Sequence, residues 1–447
     1  MATLWIGNNR TEEMVGDLSG MSSVELAFAG CGAQRMLWFA EDGDVLVLPW
    51  EPEPHYLAYV TGLTGTQAPA LTVVVPPPGV QGTEVLTPDR LADPGFRAAL
   101  ARVLAARAAA GDPVDRVVGI AGNATVAALA EALGIGGAVP GHAFAAQGGL
   151  ALVNSKAAFR ALAAGAGVAV APGTVAGSPA EAEAAAEALL AAGHSVMVKV
   201  EYQAGGHGNE VLVRDEAVPV PAGAQRAVPL ADRAAVAAYL AERWGWLTGG
   251  RDHRVVVERY FTDAVALYAE FTVGDGGAVL SGCGEMLMDP VVVGEITPPV
   301  TPDAAVLAEL VDQAGRLCES LRVLGYRGTV SADAFLTPKG ELYFSETNGR
   351  LTGSTHLHEA LMRRLVGAGR RADRVILELA GLAVPSFPEA VAAVRDAGLA
   401  FDPATATGVV FSCDFARADG SVMYCVIAGS AAEARTAEHR LRALFGG

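Results

Sequence analysis

The segment Gly328-Thr-Val-Ser-Ala-Asp-Ala-Phe-Leu-Thr-Pro-Lys-Gly-Glu-Leu-Tyr-Phe-Ser-Glu-Thr-Asn-Gly-Arg350 carries the pattern that decides the fold. Residues 328–337 and 341–348 alternate as strands do, and the Pro and Gly between them mark a turn. A hairpin with a two- or four-residue loop centred on that turn places Asp333 opposite Glu346, with Cβ atoms roughly 5 Å apart. Asn348 shares the face of Glu346, because strand side chains repeat every second residue. The sequence therefore predicts a cluster of side-chain oxygens on one face of a hairpin.

Two facing carboxylates destabilise a sheet unless a cation lies between them. Hard cations such as Mg²⁺ bind carboxylate and amide oxygens and commonly keep phosphate oxygens as further ligands. We therefore expect Asp333, Glu346 and Asn348 to hold Mg²⁺ beside a nucleotide. Two alternatives stay open. The hairpin could be a solvated one with scattered polar residues, or a three-residue loop with a bulged glycine could slip the register by one and separate the carboxylates.

Length, composition and charge exclude several classes of protein. The chain has 447 residues, which favours two to four domains. Its 32 basic and 49 acidic residues give a formal charge of −17, which disfavours nucleic acid and anionic membranes as partners. The sequence shows neither an export signal nor an apolar stretch long enough to span a bilayer, so we expect a cytoplasmic protein. The five cysteines lack metal-site spacing and are interpreted as buried thiols in a reducing compartment.

The sequence divides into four regions whose fold class is α/β and α+β. Residues 1–150 alternate apolar runs with helical stretches, which predicts a three-layer α/β domain with a strand at 36–39. Residues 151–262 and 263–385 combine helices with antiparallel strands, and residues 355–380 are predicted to be helical. Residues 386–447 predict a small α+β domain. No Gly-x-Gly-x-x-Gly motif follows the first strand, which argues against a dinucleotide site there.

Two lysines and a glycine-rich loop are candidates for binding phosphate. Lys199 interrupts an otherwise apolar strand, and a lysine that enters a core needs an anion. The alternative is that it lies on a solvent-facing side of the strand. The loop that follows contains Gly205, Gly206 and Gly208, which can bring backbone N–H groups close to phosphates, although such loops are often plain turns. Lys156, at the start of a predicted helix, could supply a second positive charge.

Two further side chains are candidates for catalysis or substrate binding. Arg350 follows the carboxylate hairpin, where it could stabilise charge on a reacting phosphoryl or carbonyl oxygen, with a structural salt bridge as the alternative. His207 lies in the glycine-rich loop, and contact with phosphate or solvent is favoured there because nothing nearby orients it as a base. Substrate pockets are expected to draw on the first domain and on residues 350–358.

The order of these residues resembles the ATP-grasp superfamily over roughly residues 150–385. The resemblance implies an ATP-grasp fold, in which ATP lies between two α+β subdomains behind a pre-ATP-grasp N-terminal domain. It implies phosphate contacts at Lys156 and Lys199, a mobile lid at Gly205, Gly206, His207 and Gly208, adenine contacts at Glu258, Arg259, Tyr260 and Phe261, and Mg²⁺ at Asp333, Glu346 and Asn348. Glu270 is the equivalent of the ribose-binding glutamate, which lies several residues earlier in many relatives.

Within the superfamily the chain is most similar to the pheganomycin-type peptide ligase group. The similarity rests on length, on the run Val-Lys-Val-Glu-Tyr-Gln-Ala-Gly-Gly-His-Gly-Asn at 198–209, and on the C-terminal tail. It implies an ATP-dependent ligase that joins an amino-acid-like carboxylate to a peptide amine through an acyl phosphate, in natural-product biosynthesis, with Arg350 and Lys199 as catalytic residues. The run Asn348-Gly-Arg-Leu-Thr-Gly is also similar to biotin-dependent carboxylases, but Gly349 and Thr352 replace their Pro and Gln, which puts carboxylation in doubt.

Two other classes of function stay open. A phosphotransferase acting on a small molecule would use the same nucleotide site and give a stable phosphorylated product. A non-catalytic nucleotide-binding module is the other alternative, and the retention of three oxygen ligands and two lysines argues against it. The acid and the amine cannot be read from the sequence, and a homodimer is possible.

Overall fold

Three sheets organise the chain in the computed structural model, which describes residues 2–214 and 221–446. The strands are β1 Ala2–Ile6, β2 Val45–Val47, β3 Thr72–Val74, β4 Val114–Gly119, β5 Gly173–Ala176, β6 Val196–Val200, β7 Asn209–Val213, β8 Ala227–Pro229, β9 Val255–Arg259, β10 Val265–Gly274, β11 Gly277–Met288, β12 Val292–Thr297, β13 Gly328–Leu336, β14 Leu342–Asn348, β15 Val375–Ala383, β16 Gly408–Phe415 and β17 Ser421–Ala428.

The helices connect and cover these sheets. They are α1 Glu12–Val15, α2 Ser23–Ala33, α3 Pro54–Thr64, α4 Pro88–Ala92, α5 Pro94–Ala109, α6 Ala124–Ala132, α7 His142–Ala146, α8 Gly149–Asn154, α9 Lys156–Gly165, α10 Pro179–Ala191, α11 Arg233–Leu247, α12 Ala304–Leu324, α13 Phe387–Asp396 and α14 Ala431–Leu444. Within the described ranges, no helix combines the length and apolarity needed to cross a bilayer.

The first sheet is parallel and confirms the three-layer α/β prediction. Its strand order is β3-β2-β1-β4, with α4, α5 and α6 packed on one face and α3 on the other. The strand predicted at 36–39 is wrong, because residues Gln34–Trp38 form a 3-10 helix that continues directly from α2. Met36, Leu37 and Trp38 are all buried, and a short apolar run of this kind is equally compatible with a buried strand or a buried helical turn.

The second sheet has the order β5-β9-β6-β7-β8 and carries helices on one face only. Val196 and Val198 of β6 and Val255 and Val257 of β9 pack with α10 and α11. Because strand side chains alternate, the residues between them point away from the helices. Lys199 and its neighbours on β9 therefore face a cleft and not the helical core.

The third sheet has eight strands in the order β14-β13-β10-β11-β12-β15-β17-β16. Leu267, Ala269 and Phe271 of β10 pack beneath α12, and the alternate residues point to the opposite face, where Ala266 lines the cleft. The tail strands β16 and β17 pair beside β15, so the C-terminal region extends this sheet. The helix predicted over 355–380 is only half right. Residues Leu357–Val366 form a π-helical segment, whereas the later apolar run is β15, again because short apolar runs do not distinguish the two structures.

Candidate active site

A cleft between the second and third sheets collects most of the residues predicted from the sequence. Among those lining it are Lys156, Lys199, Gly205, Gly206, Glu258, Arg259, Tyr260, Phe261, Asp333 and Glu346. His207, Gly208, Glu270, Asn348 and Arg350 do not line this cavity. The chain thus brings together the candidate phosphate, hinge and metal residues from elements far apart in sequence.

The predicted pairing of the two carboxylates is confirmed, but by a route that the sequence did not show. The Thr337 N–H donates to the Glu341 carbonyl, and Gly340 has φ +81°, which closes a three-residue loop. The register near the turn is therefore slipped by one, with Ala334 opposite Phe344. Ser345 is an extra, bulged residue that cancels the slip, so that Asp333 lies opposite Glu346.

Hydrogen bonds hold the acidic pair on the cleft face of β13 and β14. Ser331 Oγ donates to Asp333 Oδ1 over 2.8 Å, and Asn348 Nδ2 donates to Asp333 Oδ2 over 2.9 Å. Lys156 Nζ lies 2.7 Å from Glu346 Oε2. Asp333, Glu346 and Asn348 thus form one cluster, as the sequence predicted.

The pKa values of the two carboxyl groups are shifted in opposite directions. Burial and then the charge of Glu346 raise the pKa of Asp333 to about 7. Burial would also raise the pKa of Glu346, but the Lys156 ammonium, followed by Lys199 and Arg350, holds it below its usual value. Glu346 therefore carries a negative charge, whereas Asp333 needs a further cation nearby to ionise fully. An all-oxygen donor set of this kind fits a hard divalent cation.

Lys199 is buried in the cleft, which rejects the solvent-facing alternative. Its Nζ lies 2.5 Å from Glu258 Oε1, and Arg160 NH1 lies 2.6 Å from the other oxygen of the same carboxylate. Glu258 therefore bridges two cations through its side chain. Arg160 is a residue that sequence analysis missed, although its place one helical turn after Lys156 in α9 is a signal that could have suggested a shared face.

The glycine-rich loop between β6 and β7 forms one wall of the cleft. Gly205 and Gly206 have φ of +66° and +88°, a region where other residues are strained. A Cβ on Gly206 would also lie 3.0 Å from the backbone of Gly223. The Val292 N–H donates to the Gly205 carbonyl over 3.2 Å, so the loop rests on β12. His207 is exposed beside the wall, and its role as a lid residue stays a prediction.

An aromatic platform marks the opposite end of the cleft. The Phe261 ring stacks on Tyr343 with centroids 5.2 Å apart, and the Phe335 ring centroid lies 5.6 Å from that of Phe261. The Arg259 guanidinium lies 4.3 Å from the Phe261 ring centroid. The three ring planes are tilted by 23° to 42° relative to one another, and Phe261 and Phe335 line the cleft together with Tyr260.

Glu270 lies away from this platform. It is fully buried on β10, and its Oε2 accepts hydrogen bonds from Thr352 Oγ1 at 2.6 Å and Thr355 Oγ1 at 2.9 Å. Burial raises its pKa to about 7, although these hydroxyls offset part of the effect. Its position gives no support to the expected ribose contact. Glu270 lies on β10 four residues beyond Ala266, and its hydrogen bonds hold the loop that follows Arg350.

A second cavity, of about 280 Å³, lies beyond the cleft against the N-terminal domain. Arg10, Arg35 and Arg350 line it, and no acidic side chain of the described residues lies within 4.0 Å of these three guanidinium groups. Burial, followed by the charges of Arg350 and Arg35, lowers the pKa of Arg10. The salt-bridge alternative for Arg350 is therefore not realised. Arg10 and Arg35 were missed by sequence analysis because only the fold brings them beside Arg350.

Comparisons with known proteins agree with this architecture. The pre-ATP-grasp domain family matches residues 33–135, and the PGM1 C-terminal domain family matches residues 389–441. No curated protein matches the chain in sequence.

Several solved structures are similar over nearly the whole chain. One is the ADP complex of N5-carboxyaminoimidazole synthetase from Staphylococcus aureus, at 14% identity and TM-score 0.54, covering 99% of this chain and 96% of that one. Another is the β,γ-ATP complex of biotin carboxylase from Campylobacter jejuni, at 14% identity and TM-score 0.57, covering 97% and 89%. These likenesses establish an ATP-grasp fold with a pre-ATP-grasp N-terminal domain and a C-terminal domain.

Proposed function

We propose that this ATP-grasp protein is an ATP-dependent carboxylate–amine ligase that forms an amide and releases ADP and phosphate. The observation that carries the proposal is the facing pair Asp333 and Glu346, held in one cleft with the buried ammonium groups of Lys156 and Lys199. Opposed acidic and cationic groups around an enclosed cleft suit a polyphosphate and its divalent cation.

ATP and Mg²⁺ fit the residues present. Asp333, Glu346 and Asn348 would hold Mg²⁺, which when bound neutralises charge on the phosphoryl oxygens. Lys156 and Lys199 would turn from their carboxylate partners toward the phosphates. Tyr260, Phe261 and Phe335, which line the cleft, would form the apolar site for the adenine.

The second cavity supplies a site for the acid. Arg10, Arg35 and Arg350 give it three guanidinium groups without carboxylate partners among the described residues. A substrate carboxylate would satisfy them, because guanidinium groups pair with carboxylates in bidentate geometry. Arg350 lies two residues beyond Asn348, so it links this cavity to the metal cluster.

The reaction then follows in two steps. The substrate carboxylate attacks the γ-phosphorus of ATP, and the bond between that phosphorus and the β,γ-bridging oxygen breaks, which gives an acyl phosphate and ADP, with Lys199 neutralising the phosphoryl charge. The amine attacks the acyl carbonyl, and the C–O bond to phosphate breaks. Arg350 would stabilise the tetrahedral oxyanion, and the loop of Gly205 and Gly206 would exclude water from the intermediate.

Within this activity, we propose that the protein is a peptide ligase of natural-product biosynthesis. The sequence resemblance to the pheganomycin-type group supports this class, with an amino-acid-like acid and a peptide amine as the partners. A screen of acids and short peptides by mass spectrometry tests it directly.

The test of the proposed activity is a coupled assay with full-length protein. We expect release of ADP and phosphate that depends on acid, amine and Mg²⁺, together with a new amide mass. Release of AMP and pyrophosphate would indicate adenylation instead. A stable phosphorylated product would favour the phosphotransferase, and turnover that requires only bicarbonate as the acid would favour a carboxylase.

A further inference from the structure

The third sheet carries a second facing pair of acidic side chains. Glu295 on β12 lies directly opposite Glu378 on β15. Both line the second cavity, together with Arg350. Like charges directly opposite each other are unfavourable in a sheet, so this pair needs an explanation of its own.

The two glutamates differ in how their oxygens are satisfied. Glu378 Oε1 accepts hydrogen bonds from His356 Nε2 and Ser412 Oγ, each at 2.7 Å, and from Cys425 Sγ at 3.3 Å. Burial would raise the pKa of Glu378, but His356 lowers it below its usual value. Its charge is therefore matched by a structural hydrogen-bond network.

Glu295 has no such network around its second oxygen. Its side chain is only 6% exposed, and Oε2 has no hydrogen-bond partner among the described residues. An unpartnered buried carboxylate oxygen is costly unless something else supplies a proton or a cation. Glu295 lines the second cavity, which is large enough for a substrate group, so a ligand there can supply a partner for this carboxyl group.

The groups around Glu295 come from every neighbouring element. Glu378 of β15, Tyr268 and Glu270 of β10, and Ser354 of the loop after Arg350 surround it. Across the cavity lie His356 and the arginine cluster of Arg10, Arg35 and Arg350. Burial, followed by the charge of Glu378, raises the pKa of Glu295 to about 8.

We propose that Glu295 is the general base that takes the proton from the ammonium group of the amine substrate before it attacks. This inference rests on the proposed ligase function. Its geometric support is that Glu295 and Arg350 line one cavity, where Arg350 would hold the oxyanion and Glu295 would hold the nucleophile. The nucleophile and the oxyanion donor of an acyl transfer must meet at one carbonyl carbon.

The proton balance is complete. An ammonium R–NH₃⁺ transfers one proton to the Glu295 carboxylate and becomes R–NH₂. The nitrogen lone pair forms the C–N bond, and the C–O bond to phosphate breaks. The second amine proton leaves with the phosphate as HPO₄²⁻, and Glu295 returns its own proton to solvent.

The test compares two nucleophiles with the same acid. Hydroxylamine is largely uncharged at neutral pH and needs no base, so hydroxamate formation reports the acyl phosphate alone. With Glu295→Gln we expect amide formation at pH 7 to fall about tenfold, because only about a tenth of an amine of pKa about 8 is uncharged at that pH, while hydroxamate formation stays within about threefold of wild type. The amide rate of the variant should rise about tenfold per pH unit up to the amine pKa of about 8.

The outcomes separate this inference from the proposed function. If wild-type protein forms no hydroxamate, the ligase proposal fails. If hydroxamate forms but Glu295→Gln loses amide and hydroxamate equally, or raises KM for the acid, Glu295 is not the base for the amine. Glu438→Gln, at a buried glutamate of α14, should leave the ratio of amide to hydroxamate unchanged. Should Glu295→Gln not fold, Glu295→Asp replaces it: a loss of amide formation with hydroxamate formation within about threefold of wild type supports the base, and equal losses overturn it.

Discussion

Asp333 occupies a position that is unfavourable for stability, and we propose that it binds the metal ion. Its carboxyl group is buried opposite Glu346, and this placement raises its pKa to about 7. We expect Asp333→Asn to lower Mg²⁺-dependent ADP release by at least about a hundredfold, because a charged metal ligand is lost. The free energy of unfolding without metal should not fall and should rise by about 0.2–1 kcal/mol, because a like-charge pair is removed.

This interpretation requires that ADP release falls while the free energy of unfolding does not. ADP release is followed with saturating acid and amine, and unfolding is followed by urea titration. Asp419→Asn, at a turn residue of the tail, is the matched control and should leave turnover unchanged. Unaltered turnover in Asp333→Asn would contradict the metal assignment.

Glu258 is the second residue whose role is electrostatic. It bridges Lys199 and Arg160 and is only 3% exposed. We expect Glu258→Gln to lower the free energy of unfolding by roughly 3–5 kcal/mol, because two buried cations lose their charge partner. Added Mg²⁺ and ADP should restore part of this loss, since phosphate would pair with Lys199.

The control for Glu258 is a glutamate with a partly exposed ion pair. Glu187 pairs with Arg214 and its side chain is 22% exposed. Glu187→Gln should cost less than about 1 kcal/mol and should show no added response to nucleotide. A loss in Glu258→Gln that nucleotide does not relieve would argue against a phosphate site at Lys199.

Sequence reasoning found the residues whose chemistry conflicts with their local context. Lys199 in an apolar strand and Asp333 facing Glu346 are such conflicts, and they can be read without a fold. Arg10 and Glu295 give no such signal, because each is ordinary in its own segment. Only tertiary packing makes them neighbours of Arg350.

At the scale of the element, the bulge at Ser345 determines how the acidic side chains of the proposed metal site are paired. The three-residue turn slips the hairpin, and the extra residue restores the pairing of Asp333 and Glu346. The sequence predicted both strands to within a residue, yet it could not decide the loop length, because Pro-Lys-Gly-Glu is compatible with more than one turn. The pairing of Asp333 with Glu346 is therefore determined by two compensating irregularities together.

Two single deletions in β14 should therefore lower turnover to very different extents. Deleting Ser345 removes the bulge but keeps Glu346 opposite Asp333, so turnover should stay within about tenfold of wild type. Deleting Thr347 moves Asn348 to the face that packs against α8, and Mg²⁺-dependent turnover should fall by at least about a hundredfold. Circular dichroism checks the fold of each, and equal losses in both would contradict the register argument.

At the scale of the molecule, buried acids should make stability depend on pH. Burial raises the pKa of Asp333 and Glu270 to about 7 and that of Glu295 to about 8. In the unfolded chain these groups titrate near 3.8 to 4.5, so between pH 6.5 and 8 the folded protein holds more protons. The free energy of unfolding should therefore fall as pH rises through this window, by at most about 1.4 kcal/mol per pH unit for each group.

The window from pH 6.5 to 8 lies above the pH range in which His358 opposes this trend. The effect of Mg²⁺ on the slope can therefore be measured within it. Burial, followed by the charge of His356, lowers the pKa of His358 to about 3, which removes stability only as pH falls below its unfolded value of 6.5. Urea titrations at pH 6.5, 7.2 and 8 measure the slope. Mg²⁺ should flatten it by favouring ionised Asp333, and a slope that rises with pH would contradict the assignment.

The C-terminal tail also shapes the chemistry of the second cavity. Its strands β16 and β17 supply the Ser412 and Cys425 groups that hold Glu378, and Met423 itself lines the cavity. Exchanging this region for that of a homologue would accordingly alter which amines are accepted while nucleotide affinity stays constant. If the proposed ligase function holds, selectivity is therefore open to engineering through chimeras that leave the cleft of Lys156 and Lys199 untouched.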